Sequence, residues 1–149
     1  MENVLHIEKI SPRIIIADFK GNPTTTVTSC YSPHNNISEE EPNDFYSTLR
    51  SSLEQVPAHN YLLVEGNFNA KLGAHDAKFT FQLETNCNGE HLVDLAEEFS
   101  LFATNTRFNK NHLWTFEYPN GSRAQLDFIM VRKSGVTVSK TAELTSKEK

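Results

Sequence analysis

Cysteine and long apolar runs are scarce in this 149-residue chain, and each scarcity excludes a class of protein. The only cysteines, Cys30 and Cys87, form neither a disulfide framework nor a zinc motif. Because the sequence also opens without a signal peptide, we expect a reducing compartment, nuclear or cytoplasmic, and thus an intracellular protein. The apolar runs are only a few residues long, too short for a transmembrane helix, so no membrane partner is expected.

An excess of basic residues is also lacking. Aspartate and glutamate total 19 against 14 lysines and arginines, which gives a net charge of −5. Tight binding to DNA requires several cations opposite the phosphates, and the cations here are scattered along the chain without a basic stripe. If DNA is a partner, we therefore expect weak binding, through local patches that folding assembles.

The chain has the length of one domain with a single hydrophobic core, and no internal repeat is visible. We expect this domain to span residues 1–133. Residues 134–149 are polar and end in Lys-Glu-Lys, so they predict a disordered tail.

Hydrophobic patterning predicts a mixture of strands and helices. Residues 14–17 and 24–31 are rich in β-branched side chains and predict two strands, joined as a hairpin through residues 21–23. Ser38 and Glu41 predict a capping box at the start of a helix. The core-facing stripe of this helix comprises Phe45, Leu49, Leu53 and Val56.

The second half of the chain continues this mixture. A strand is predicted at residues 61–64, followed by a loop over residues 71–88 and an amphipathic helix after it. Three further strands are expected near residues 101–104, 112–116 and 126–131. The Asn120-Gly121 pair is typical of a hairpin turn between the last two.

One short segment combines a strand with polar side chains at its end. Residues 62–70 read Leu-Leu-Val-Glu-Gly-Asn-Phe-Asn-Ala, an apolar run too short for a helix that stops at Gly66. Asn67 and Asn69 then emerge at the carboxyl end of the strand, where open α/β sheets bind their ligands. Both asparagines are also ordinary turn residues at a strand end, so this segment alone leaves the two interpretations open.

Other segments of the chain add to this motif. Gly66-Asn67-Phe68-Asn69 resembles the Gly-Asp-Phe-Asn motif of the endonuclease/exonuclease/phosphatase superfamily, the deoxyribonuclease I-like hydrolases. Matching segments occur in that superfamily's order at residues 28–35, 88–92, 113–116 and 124–129. Over residues 11–132 the chain most resembles the endonuclease domains of non-LTR (LINE-type) retrotransposons and host proteins of the craniofacial development protein 2 type.

The resemblance implies part of a four-layer α/β sandwich of the deoxyribonuclease I-like type, with mixed sheets flanked by helices. It also implies Mg²⁺-dependent cleavage of DNA phosphodiesters. In the family, the residue aligned with Tyr31 contacts the scissile phosphate, and the one aligned with Asn69 donates a hydrogen bond to that phosphate. The aspartate aligned with Asn67 holds or activates the attacking water, and the aspartate aligned with Asp127 orients a catalytic histidine.

The resemblance further places Trp114 and Thr115 in a wall of the substrate-binding site, together with Tyr31 and Asn69. A lone tryptophan is more often a core anchor, and a tyrosine at a strand end is ordinary half-buried packing. Asp127 interrupts an otherwise apolar strand, where a carboxylate is costly unless it has a partner or faces solvent.

Three departures from the family pattern argue against activity. Asn67 replaces the aspartate, and an amide takes up no proton at neutral pH, whereas loss of a general base removes about 10²–10⁴-fold in rate. The family's metal-binding glutamate is not recognised, although Glu2, Glu8 and Glu65 are available carboxylates, and no metal ligand is assigned. After Lys133 the sequence contains neither aspartate nor histidine, so the family's closing Ser-Asp-His is missing.

We therefore expect a degenerate phosphodiesterase fragment of the retrotransposon type, inactive or severely impaired. Mg²⁺ is the family's cofactor, and its binding to this chain is in doubt. Two alternatives stay open, a non-catalytic nucleic-acid or phosphate-binding module and a gene fragment without selected function. Since part of a layered fold would be missing, we expect residues 14–16, 62–64 and 128–131 to expose apolar surface and the chain to self-associate.

Overall fold

The chain forms a mixed α/β structure. A computed structural model describes residues 2–34 and 38–133, so the predicted tail at residues 134–149 lies outside the described residues. The strands, in chain order, are β1 Val4–Ser11, β2 Ile14–Phe19, β3 Thr25–Tyr31, β4 Tyr61–Asn67, β5 Leu101–Ala103, β6 Phe116–Glu117, β7 Arg123–Ala124 and β8 Asp127–Arg132. The helices are α1 Glu40–Glu54 and α2 Cys87–Glu98, with a 3₁₀ turn at Thr104–Thr106. In the described part of the chain, no helix is both long and apolar enough to cross a membrane.

Six of the strands form one sheet in the order β1-β2-β3-β4-β8-β5. β3 and β4 run parallel, and the other neighbouring pairs are antiparallel. α1 lies between β3 and β4 in the chain and supplies the crossover that a parallel pair needs. β6 and β7 pair with each other in a separate hairpin. The predicted α/β fold, a mixed sheet flanked by helices, is confirmed.

One face of the sheet, which we call the covered face, packs against both helices. Strand side chains alternate between the two faces of a sheet, and those on the covered face are buried. Leu62 and Val64 of β4 belong to the same apolar cluster as Leu49 of α1 and Leu95 of α2. The other sheet residues of this cluster include Ile14, Ile16, Cys30, Phe128 and Met130. The covered face therefore holds the hydrophobic core.

The opposite face, which we call the open face, has no helix packed on it among the described residues. A row of apolar side chains crosses all six strands in register here: Ile7, Ala17, Val27, Leu63, Val131 and Phe102. Ile15 and Ile129 on this face are 44% and 48% exposed. Segments 14–16 and 128–131 thus expose alternate residues rather than their full length, because their remaining residues lie on the covered face.

The structure adds one strand to those predicted and extends another. The sequence predicts no strand before residue 14, yet β1 pairs with β2 along most of its length. The side chains of β1 are mostly exposed, so the alternation that marks a half-buried strand is weak there. β4 continues past Val64 through Gly66 to Asn67, because these residues pair with both β3 and β8.

Among the predicted helix and turn details, the capping box is wrong, the Asn120-Gly121 hairpin turn forms but with a different second strand, and the hairpin through residues 21–23 is confirmed. α1 begins after Glu39, whose side chain makes no capping hydrogen bond, so the capping box of Ser38 and Glu41 does not form. The Asn120-Gly121 turn joins β6 to β7, whereas β8 pairs with β4 and β5. The antiparallel pairing of β2 with β3 confirms the hairpin through residues 21–23.

Candidate functional site

Three of the predicted site residues lie side by side on neighbouring strands. Tyr31 ends β3 and is the register partner of Asn67, which ends β4. Asn67 is in turn the partner of Asp127, the first residue of β8. Arg13 extends this row, because its carbonyl oxygen accepts the Tyr31 N–H at 3.0 Å. We call these four residues the site row; by the alternation of strand side chains they lie on the open face.

Gly66 allows the first two strands of the site row to approach closely. Its φ of 145° lies in a region that favours glycine. A Cβ at this position would stand 1.9 Å from the carbonyl oxygen of Cys30, the register partner of Gly66 on β3. A side chain would therefore push β3 and β4 apart next to Tyr31 and Asn67, which gives the glycine before Asn67 a physical reason.

The turn after β4 uses the side chain of Asn67. Its Oδ1 atom accepts the backbone N–H of Asn69 at 2.8 Å, which closes an Asx turn. Asn69 has a left-handed φ of 47°, a conformation that asparagine tolerates better than most residues. The Nδ2 group of the half-buried Asn67 makes no hydrogen bond to a described residue, so it can donate to a ligand on the open face.

Asn69 is a buried anchor, and the structure does not bring its side chain onto the open face with the site row. The residue is 6% exposed, and its Nδ2 donates to the carbonyl oxygen of Ser32 at 2.7 Å. Its carbonyl oxygen accepts from Nδ2 of Asn86 and from Nδ2 of Asn88, each at 3.3 Å. Nδ2 of Asn88 also donates to the carbonyl oxygen of Pro33 at 3.0 Å. These bonds join the loops after β3 and β4 to the start of α2.

Asp127 is half-buried at the start of β8, and the groups around it bond to its backbone. Its N–H donates to Oγ1 of Thr115 at 3.1 Å, and its carbonyl oxygen accepts from Nδ2 of Asn105 at 2.9 Å. The Asp127 carboxylate has no hydrogen bond or ion pair with a described residue. A carboxylate in an apolar strand needs either a partner or a position that faces solvent. Asp127 has the position that faces solvent.

Trp114 and Thr115 lie next to the site row on the segment leading into β6. Oγ1 of Thr115 also accepts the N–H of Leu126, at 3.0 Å, so this hydroxyl fixes the backbone where β8 begins. Trp114 is half-buried and lies outside the core cluster, which contradicts the interpretation as a core anchor. The guanidinium of Arg123 lies 4.4 Å from the centroid of a Trp114 ring. This contact places Trp114 against Arg123 of β7 rather than in the core.

Arg13 contributes a cation that sequence reasoning did not assign to the site. Its Nη1 donates to the carbonyl oxygen of Tyr31 at 3.3 Å, and its guanidinium carbon lies 5.3 Å from the centroid of the Tyr31 ring. Tyr31 itself is 49% exposed. The site row therefore combines a cation, a phenol, an amide and a carboxylate on adjacent strands.

Glu65 lies one position further along the open face, with Ser29 and Ile129 as its register partners. Cys30, which follows Ser29 on β3, lies on the covered face instead. Burial above all, together with the charge of Glu65, raises the pKa of the Cys30 thiol well above its usual range. A protonated thiol is a poor nucleophile, so Cys30 is a core residue rather than a reactive one.

No resident Mg²⁺ site is assigned among the described residues. Mg²⁺ binds oxygen ligands, chiefly carboxylates and water, in octahedral geometry. Glu65 and Asp127 are the carboxylates that the register brings nearest to Asn67, and they are diagonal rather than direct partners on β4 and β8. Across the described ranges, no group of three histidine, cysteine, aspartate or glutamate side chains could hold a metal ion.

No family model matches the sequence. The chain is similar to craniofacial development protein 2 of Bos taurus, with 31% identity over 141 residues, and to that of Tragulus javanicus, with 30% identity over 141 residues. Each alignment covers 87% of this chain and 24% of the relative. The chain therefore spans about a quarter of the length of these curated relatives.

The fold is similar to that of an endonuclease/exonuclease/phosphatase family protein from Leptotrichia buccalis C-1013-b, with a TM-score of 0.57 and 18% identity. This match covers 81% of the present chain and 41% of the other. At such low identity the match shows a shared fold, and the similarity to craniofacial development protein 2 adds a relationship in sequence. Together, the comparisons show a fold shared with an endonuclease/exonuclease/phosphatase family protein and a similarity in sequence to craniofacial development protein 2.

Proposed function

We propose that the chain is a nuclease-derived domain of the retrotransposon-endonuclease type that binds DNA phosphodiesters weakly and cleaves them at a negligible rate. The observation that carries the proposal is the identity and bonding of Asn67. It occupies the middle of the site row between Tyr31 and Asp127, and its Oδ1 accepts the N–H of Asn69.

The chemistry at position 67 argues against hydrolysis. An attacking water must lose a proton, and an amide has no basic site for it at neutral pH. Among the described residues, the Asp127 carboxylate has no imidazole partner. Loss of a general base typically lowers the rate by about 10²–10⁴-fold.

The same substitution favours binding of an anion. An aspartate at 67 would place a second carboxylate next to Asp127, its direct partner on β8. An asparagine removes that charge and adds the Nδ2 donor, which makes no hydrogen bond to a described residue. The Tyr31 hydroxyl, in the same row, is a further donor to phosphate oxygens. Weak phosphate binding without cleavage is thus the function that this arrangement supports best.

Two assays on the same protein test the proposal. Purified protein with Mg²⁺ or Mn²⁺ should nick supercoiled plasmid no faster than a no-enzyme control, and Asn67→Asp should not restore nicking because Asp127 has no imidazole partner among the described residues. Metal-dependent nicking that survives repurification and disappears in Tyr31→Phe would overturn the claim of inactivity.

The binding half of the proposal needs a separate measurement. A fluorescent 20-base-pair duplex should bind at low salt, and Asn67→Asp should weaken that binding roughly fivefold, the size of a charge repulsion of about 1 kcal/mol. Asn43→Asp, an equal charge change on the exposed surface of α1, is the control and should leave the affinity close to wild type. Equal losses in the two variants, or no wild-type binding, would contradict the proposal.

A further inference from the structure

A groove on the open face lies directly beside the site row, at the β1–β2 end of the sheet. It encloses about 320 Å³ and is lined by Lys9, Arg13, Ser29 and Tyr31, with Ile15 among its apolar residues. Lys9, Ile15 and Ser29 are register partners across β1, β2 and β3, so they share the open face. The groove lining includes no acidic side chain, and Glu65 lies beside it on the open face as the register partner of Ser29.

The two cations of the groove have no acidic partner. In the described part of the chain, the ion pairs are His6–Glu8, Arg50–Glu98 and Arg123–Glu117, and none involves Lys9 or Arg13. The chain as a whole carries a net charge of −5. Two unpaired cations that line one groove of an acidic protein form a local site for an anion.

Arg13 is held in place before any ligand arrives. Its main chain bonds to Tyr31, its Nη1 donates to the Tyr31 carbonyl oxygen, and its guanidinium lies beside the Tyr31 ring. These contacts leave most of its N–H donors available, since a guanidinium has five. A side chain that is already ordered loses less entropy when it binds a phosphate.

The spacing suits a polymer rather than a lone anion. Lys9 lies on β1 and Asn67 on β4, three strands apart in the sheet. At about 4.8 Å per strand, this separation is about 14 Å, several times the rise of 3.4 Å per nucleotide. A nucleic-acid strand that places one phosphate at Asn67 would therefore bring another to the groove.

We propose that the Lys9–Arg13 groove binds a backbone phosphate of DNA a few nucleotides away from the phosphate at Asn67. This inference rests on the proposed function, since it extends the same binding site. Lys9 and Arg13 contact the phosphate, so they position the DNA without reading its sequence. The exposed ring of Tyr31 is the group in the groove that is suited to contact a sugar or a base.

Binding of a fluorescent DNA duplex as a function of salt tests the groove. The double variant Lys9→Gln/Arg13→Gln should lower the slope of log affinity against log salt by about 1.8, since each phosphate contact contributes about 0.9. At 0.1 M salt this corresponds to a loss of up to about 60-fold. The matched control is Lys20→Gln/Lys110→Gln, which removes two exposed cations outside the groove and should change the slope little. Equal slope changes in the two double variants would overturn the proposal, and so would an unchanged slope in Lys9→Gln/Arg13→Gln.

A second measurement separates the groove from the proposed function. If wild-type protein fails to bind the duplex even at low salt, the proposed function is lost, and pyrophosphate then probes the groove alone. Titration of isotope-labelled protein should shift the NMR signals of the Arg13 Nε–H and the Tyr31 ring in a saturable manner, and Arg13→Lys should reduce the shift of the Tyr31 ring signal. Absence of saturable shifts would overturn the groove as an anion site.

Discussion

The two faces of the central sheet are built from alternate residues of the same strands, yet they differ completely in their surroundings. Ile14 is 2% exposed on the covered face, and Ile15, the next residue, is 44% exposed on the open face. Val64 and Phe128 lie in the core, whereas their neighbours Glu65 and Ile129 lie on the open face. This difference shows that the side chains on the covered face contribute most of the stability of the sheet, whereas those on the open face are available to contact a ligand.

The open face itself changes character along the strands. At one end the site row carries polar and charged groups, and further along, the row from Ile7 to Phe102 is apolar across six strands. An exposed apolar surface of this kind is typical of an interaction site. We propose that a second copy of the chain covers the apolar row at high concentration, which is the self-association that the sequence leads us to expect.

The largest expected effect comes from Gly66, because the backbone of β4 approaches that of β3 closely there, and both strands contribute to the covered and the open face. Gly66→Ala should destabilise the fold by about 4 kcal/mol or more, because the new Cβ would overlap the Cys30 carbonyl oxygen at 1.9 Å. Gly121→Ala is the control, since Gly121 has a φ of 84° with no atom within 4 Å of the added Cβ. Its cost should be the backbone term alone, about 1 kcal/mol. Urea unfolding measures both, and equal losses would mean that β3 and β4 can separate at little cost.

Ile14 and Ile15 provide a matched pair that compares the faces directly. Ile14→Ala removes a core side chain and should cost about 2–5 kcal/mol, whereas Ile15→Ala removes a side chain already near water and should cost less than about 1 kcal/mol. Urea unfolding at low protein concentration is the measurement. A large cost for Ile15→Ala in the monomer would show that the open face is covered by residues outside the described ranges.

The sequence predicts the parts of this arrangement that depend on local pattern. The strands at β2, β3 and β8 and the stripes of both helices follow from periodicity, and the strand end at Asn67 follows from Gly66 and the polar residues around it. β1 escapes prediction because an exposed edge strand lacks the alternation of a half-buried one. Lys9 escaped assignment to the site with it, since its position depends on pairing with Ile15.

The composition of the site depends on long-range register, which no local pattern contains. Tyr31, Asn67 and Asp127 are far apart in sequence and meet only because β3, β4 and β8 pair in one register. Asn69 shows the opposite problem. The motif includes Asn69, and its side-chain amide could serve either as an anchor of the turn or as a ligand of the phosphate. Only the buried hydrogen bond from this amide to the Ser32 carbonyl oxygen shows that it is the anchor.

Self-association through the open face is the next test of the comparison. Wild-type protein should shift from monomer to larger species as its concentration rises in sedimentation or size-exclusion experiments. Ile7→Lys, which places a charge in the apolar row, should weaken association at least tenfold, since a buried isoleucine contributes about 1.5–3 kcal/mol. Leu83→Lys is the control, because Leu83 is 91% exposed in a loop outside the row. A monodisperse monomer at all concentrations, with one sharp unfolding transition, would contradict the idea.

The smallest expected effect is a loss of stability in alkali that originates on the covered face. Burial raises the pKa of the Cys30 thiol above its usual value of 9.0, so the folded protein keeps the thiol protonated while the unfolded chain ionises. The contribution is fully present below pH 9 and declines as the pH rises, by about 1.4 kcal/mol at pH 10. The phenol of Tyr46 is shifted in the same direction by burial, but from a usual value of 10.0, so its contribution begins at higher pH.

Urea unfolding at pH 8, 9 and 10 isolates this contribution of Cys30. Cys30→Ala should lower overall stability but flatten its dependence on pH over this range, because the unfolded chain then has no thiol at position 30 to ionise. Cys87→Ala should keep the wild-type dependence, since Cys87 is exposed at the start of α2 and lies outside the core cluster. If the two variants showed the same pH dependence, the thiol of Cys30 would not be protected by the covered face, and the contrast between the two faces would be weaker than their exposures indicate.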